Sequence, residues 1–195
     1  FFNKFLLLLL VYSMPQKDSF WRDFLRFIIV SAIIIIPIRT WVAQPFLVRG
    51  ASMEPTFEDG EYLIIDEFTY HFRSPERGEV LVFRYPNDPS KFFIKRVIGL
   101  PGETIEIRDN NIFLMSDGGE VKLNEPFLQE ALTTPNGIIT LGEHDFFMLG
   151  DNRLFSSDSR KWGTLEEGFI IGRAFLRLWP INRTEFMPGN FNYEN

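Results

Sequence analysis

The chain has 195 residues, 45% of them hydrophobic, and a formal net charge of -6. That length holds one soluble domain with a small subdomain beside an apolar N-terminal segment, and the acidic balance argues against a nucleic-acid partner. The absence of cysteine excludes disulfides, thiolate nucleophiles and Cys-based metal sites, and the two histidines, His71 and His144, argue against a His-rich metal site.

In chain order, residues 1–19 read as an N-terminal tail. Its apolar run, residues 5–11, is too short for a span of about 20 residues. It reads either as the end of a longer apolar segment or as a signal-peptide core with no small-residue cleavage pattern after it. Residues 20–43 are the expected transmembrane helix. The apolar core runs over residues 27–38, Trp21 and Trp41 stand at its two ends, and Arg26 and Arg39 are placed to snorkel. A buried soluble helix is the other reading of this stretch. Lys4, Lys17, Arg22 and Arg26 precede it, while Arg39 and Arg49 follow, which puts the N-terminal side in the cytoplasm and residues 44–195 outside.

From Gln44 the pattern changes to short alternating runs, at residues 61–66, 79–85, 92–98, 104–108, 111–115, 145–149 and 169–178. Turn signals such as Glu58-Asp59-Gly60 and Leu100-Pro101-Gly102 separate them. Many short strands without alternating helices predict a mostly β, antiparallel domain. Residues 103–140 form a small inserted β-hairpin subdomain, and residues 187–195 read as a loose tail.

Two residues in this pattern carry chemistry. In F-F-I-K-R-V-I, period-two alternation puts Lys95 on the face of Phe93 and Val97, and Arg96 on the other. An ammonium among apolar groups loses its charge more easily, and a lysine brought to roughly 7–8 can act as a general base. A surface lysine with its stem along its neighbours is the plainer reading of that spacing alone. Upstream, Gly50-Ala51 leads pliably into Ser52, and Pro55 disfavours helix at Glu54. That describes a serine on a tight, exposed turn, although turn serines are common for other reasons.

S-M-E-P-T, G-E-Y-L, R-G-E-V, I-K-R-V-I-G-L-P-G-E and G-D-N-R-L-F-S-S-D-S-R follow one another after the apolar segment. In that order they resemble bacterial type I signal peptidase, over roughly Trp21 to Trp179. The resemblance implies a Ser–Lys dyad with Ser52 as nucleophile, followed by Met53, and Lys95 as general base. The oxyanion donor implied two residues before the nucleophile is a hydroxyl in some members. Here that position is Gly50, which offers none. Ser156 matches a serine that orients the lysine amine, and Asp158 and Arg160 match an ion pair behind it. Asp151, Asn152 and Arg153 match a structural turn. Arg96 follows the lysine, and Met148 and Leu149 match apolar neighbours that desolvate it. Leu154-Phe155 departs from the usual polar pair. The short stretch between Lys95 and Gly150 implies a small second domain.

The resemblance implies a membrane-anchored serine endopeptidase that removes signal peptides from exported preproteins after Ala-x-Ala sites. It further implies a single-pass protein of the cytoplasmic membrane, with its β domain on the extracytoplasmic side and Phe46 and Leu47 dipping into lipid. No cofactor and no metal are implied. Two other readings stay open. One is a self-cleaving protease of the repressor type, which shares the dyad. The other is a catalytically inactive anchored homologue, which only Leu154-Phe155 supports.

Overall fold

The computed structural model describes residues 20–37, 43–116, 118–128, 130 and 133–193. The chain divides into two units, Phe1–Ile38 and Arg39–Asn195.

In the first unit, helix α1 spans Phe20–Pro37. The first two turns carry Arg22, Asp23 and Arg26, with Asp23 and Arg26 paired at 4.0 Å. Those charges shorten the apolar stretch within the helix. Among the described residues, no helix is long and apolar enough to cross a membrane. The expected span over 20–43 is corrected to that extent. Its last part, residues 38–42, and the run at 5–11 lie outside the described residues. Ala43 starts a strand rather than ending the helix.

The second unit is mostly β, as the alternation predicts. Its strands are β1 (Ala43–Leu47), β2 (Tyr62–Asp66), β3 (Val80–Tyr85), β4 (Asp88–Gly99), β5 (Thr104–Arg108), β6 (Asn111–Ser116), β7 (Gly119–Lys122), β8 (Gly137–Thr140), β9 (Asp145–Leu149), β10 (Leu165–Glu166), β11 (Ile170–Trp179) and β12 (Glu185–Phe186). A one-turn helix, α2 (Ser159–Trp162), precedes β10. Among the described residues one sheet runs β1-β2-β11-β3-β4-β9-β10, with β12 on β11, and a four-stranded sheet runs β7-β6-β5-β8. Neighbouring strands are antiparallel throughout. Strands β7 and β8 are not among the alternating runs of the sequence, because short, mostly exposed strands carry little alternation.

Both faces of the large sheet are covered, and β3 shows how. Val80 and Val82 join a core with Val48, Met53, Phe57, Leu63 and Ile65. Leu81 and Phe83 join the opposite core with Val97, Phe146, Met148 and Leu165. A third core, including Ile98, Ile105, Ile112, Phe147 and Leu149, lies between the two sheets. Strand β4 therefore loses its alternation: Lys95, Arg96, Val97 and Ile98 are all buried. The sequence reading buried one basic residue of this strand, and the structure buries two.

The C-terminal segment is also not loose. Tyr193 packs on the inter-sheet core, Phe191 meets Phe127 edge-on, and Gly189 O accepts a hydrogen bond from the Arg96 guanidinium. A short run rich in Asn gives no periodic signal, so only its distant partners reveal the docking.

Candidate active site

Strand β1 pairs with β2 up to Leu47 opposite Tyr62, and the Val48 N–H donates to Glu61 O to extend the pairing. The chain then turns at Gly50, whose φ of +84° favours glycine. The Gly50 N–H donates to Asp59 Oδ1 at 2.7 Å, which fixes that turn. Ser52 follows at the head of a tight turn. There the Phe57 N–H donates to Met53 O, and both side chains are buried four residues apart. Pro55 fits the turn because it has no N–H to place.

Lys95 arrives from the middle of β4, opposite Leu81 on β3. Its Nζ lies 2.7 Å from Ser52 Oγ and 2.7 Å from Ile94 O, with donation to both. The side chain is nearly inaccessible, at 3%. Burial lowers the amine to about 8, against the opposing charges of Asp158 and Asp151. Those carboxylates are already engaged. Arg160 Nε and Nη2 donate to Asp158 at 2.7 and 2.8 Å, and Arg96 Nε and Nη2 donate to Asp151 at 2.8 and 2.6 Å. Burial opposes ionisation of Asp158, but the Arg160 hydrogen bond and charge, the Ser156 hydroxyl and the Gly150 N–H hold it below the usual carboxylate range. The result is a weakly basic amine touching a hydroxyl, with two paired carboxylates behind it.

The residues expected around this pair are placed as follows. Met148 and Leu149 on β9 are buried opposite Val97 and Arg96. The Asn152 N–H donates to Ser52 O at 3.1 Å. Arg153 is buried against Glu125 and Thr133, which ties the turn to the segment after β7. Ser156 is buried, but it makes no hydrogen bond with Lys95. Its Oγ faces Gly150, and Ile94 O takes the second N–H of the amine instead. Leu154 and Phe155 are exposed. Gly50 borders the same cavity as Ser52, with open space where a side chain would stand.

Sequence reasoning missed Thr56 and Arg177. Thr56 Oγ1 donates to Asp151 Oδ2, and Arg177 Nη2 donates to Thr56 O at 2.6 Å, which braces the serine turn from two sides. Thr56 closes the S-M-E-P-T block and was legible there. Arg177, on the far strand β11, has no local signal. His71 and His144 are exposed, and His144 faces Glu167 at 3.7 Å. Among the described residues, no group of three or more His, Asp or Glu is placed to hold a metal ion.

A cavity of about 530 Å³ opens on the pair. Phe46, Leu47 and Val48 line it from β1, Phe92, Phe93 and Ile94 from β4, and Leu63 and Val82 from below. Such an apolar channel, flanked by the outermost strand β1, suits an extended peptide. An amine of lowered basicity on a serine hydroxyl in its lining suits acyl transfer.

A family model described as signal peptidase, peptidase S26, matches residues 21–179. The chain is 36% identical over 179 residues to a signal peptidase I of Leptolyngbya laminosa, covering 88% of this chain and 86% of that protein. It is 34% identical over 171 residues to signal peptidase I V of Bacillus subtilis (strain 168), covering 80% and 96%. A crystal structure of a signal peptidase I from Enterococcus faecalis V583 is 31% identical and covers 52% of this chain and 97% of that one, with a TM-score of 0.45.

Proposed function

We propose a mechanism and a substrate site for this chain from one premise: the chain belongs to the signal peptidase family, peptidase S26, and is a signal-peptide-cleaving serine peptidase of type I. Ser52 is the nucleophile and Lys95 its general base. As Ser52 Oγ attacks the scissile carbonyl carbon, its proton passes to neutral Nζ. The new ammonium protonates the leaving amine, and the C–N bond breaks to leave an ester on Ser52. Lys95 then takes a proton from water, whose oxygen attacks the ester carbon; the bond to Ser52 Oγ breaks, the ammonium returns the proton to that oxygen, and the signal peptide leaves. The observation that carries this reading is the 2.7 Å contact between Nζ and Oγ, with the amine lowered to about 8 by burial.

The developing oxyanion needs donors. Among the described residues the Ser52 N–H has no acceptor, so it is free for this work. The Gly50 N–H is committed to Asp59. One side-chain donor is absent at Gly50, where the space is open to a water or to a backbone group.

The channel between β1 and β4 takes the residues before the cut, with small side chains in the Ala-x-Ala pattern. The chain acts on exported preproteins at the outer face of the cytoplasmic membrane. The supports for membrane attachment are the uncharged stretch after Arg26 and the half-buried Phe46 in the lining of the channel. The Leu154-Phe155 departure leaves Lys95 its two hydrogen bonds, so it does not favour an inactive homologue. The test is cleavage of a precursor with an Ala-x-Ala junction. Ser52→Ala and Lys95→Ala each abolish it while thermal unfolding stays cooperative, and residual activity in either overturns the dyad. Retention in the membrane pellet at alkaline pH tests the anchor.

A further inference from the structure

Phe155 is 74% exposed, yet it borders the cavity that holds Ser52 and Lys95. An exposed phenylalanine on a mobile loop would mean little. This one stands on a rigid mount. The Asn152 N–H is bonded to Ser52 O at 3.1 Å, and the Phe155 N–H to Asn152 O at 3.2 Å. The flanking Asp151, Arg153, Ser156 and Asp158 are buried. The Phe155 backbone is therefore held two hydrogen bonds from the serine whose hydroxyl meets Lys95.

The residues that line the cavity come from two parts of the chain around Ser52. Phe46, Leu47 and Val48 approach through the chain on its nitrogen side, and Phe46 meets Phe92 across the channel with ring centroids 5.5 Å apart. Phe155 and Ser157 approach through the turn tied to its carbonyl. If the β1–β4 channel takes the residues before the cut, the border of the cavity formed by the turn at Phe155 is left for the residues after it. We propose that Phe155 is a specificity-determining residue that receives an apolar side chain at the first position after the cut. A substrate side chain laid on the ring removes apolar surface of both from water. A polar one gains nothing there and loses hydration. The inference rests on the reading of Ser52 and Lys95 as the reacting pair.

The test uses the full chain in detergent and two peptides with the same Ala-x-Ala junction. They differ only in Leu or Asn at the first residue after the cut. The unaltered protein prefers Leu by about tenfold in kcat/KM. Phe155→Asn brings the ratio close to one, and Phe155→Leu keeps the preference. A ratio unchanged in Phe155→Asn overturns the proposal, as does an equal fall for both peptides. A change that tracks the residue before the cut overturns it too, because the ring would then border the other half of the substrate. An effect seen only on lipid vesicles assigns the ring to the bilayer instead. Cleavage that survives Ser52→Ala overturns the dyad reading, and this one with it, whatever the ratio.

Discussion

The Arg96 guanidinium lies 2.6 Å from Asp151 Oδ2, and both side chains are 1% exposed. The pair joins β4 to the turn that holds Ser52 O, and Thr56 Oγ1 donates to the same carboxylate. Arg96 also donates to Gly78 O and Gly189 O and lies over the Phe127 ring. Removing Asp151 leaves a buried cation with no counter-charge. Asp151→Ala is expected to lose about 3–5 kcal/mol of stability, read from denaturant unfolding. A loss below about 1 kcal/mol would mean that water replaces the carboxylate.

The proposed role of Lys95 as base carries a pH signature. Only the neutral amine can take the proton from Ser52, so kcat/KM should rise with pH through about 8. Asp158 opposes the lowering of that amine. Asp158→Asn removes a negative charge and should move the acid limb to lower pH. A limb that stays put or moves up would show that the limb reports another group.

The same lysine makes a stability prediction. Its folded pKa, about 8, lies below the ordinary 10.5. Between those values the unfolded chain holds the proton and the folded chain does not, so stability rises with pH across that window. Below it the folded protein carries a desolvated charge. Lys95→Met should therefore be more stable by up to about 3 kcal/mol at pH 7, at 1.36 kcal/mol per pKa unit. The gain should fade between pH 8 and 10.5. A variant that is less stable at pH 7 would show that the hydrogen bonds of the amine outweigh its desolvation.

Gly150 tests the mount of Ser52. A Cβ there would lie 2.4 Å from Ser52 O and 2.3 Å from Ser156 Oγ. The serine oxygen is backbone and cannot swing away, so Gly150→Ala must push the Ser52 turn. A shift near 1 Å costs on the order of 100-fold in kcat. Cooperative unfolding with activity intact would show that the turn gives way elsewhere.

How far the site was legible depends on the range of each interaction. Ser52 and Lys95 were legible because each sits in a short block with its own local reason: a pliable turn, and a cation in an apolar run. The β character was legible because one strand face repeats every two residues. The surroundings of Ser156 were not legible, because its block gives only its neighbours in the chain, while the fold brings its hydroxyl against Gly150 across a turn. Arg96 was read as facing the other side of β4, and nothing local announces that this side is covered as well.

Alone, the order of residues determined the strand pattern and the two groups that can exchange a proton. Periodicity and turn chemistry are local, and they survive in a linear string. Only the tertiary structure decided that positions 43 apart meet at 2.7 Å, that Arg96 is buried beside Asp151, and that the C-terminal segment docks on it. Those outcomes come from strands paired out of sequence order and from packing on both faces of one sheet, where each contact depends on residues far away in the chain.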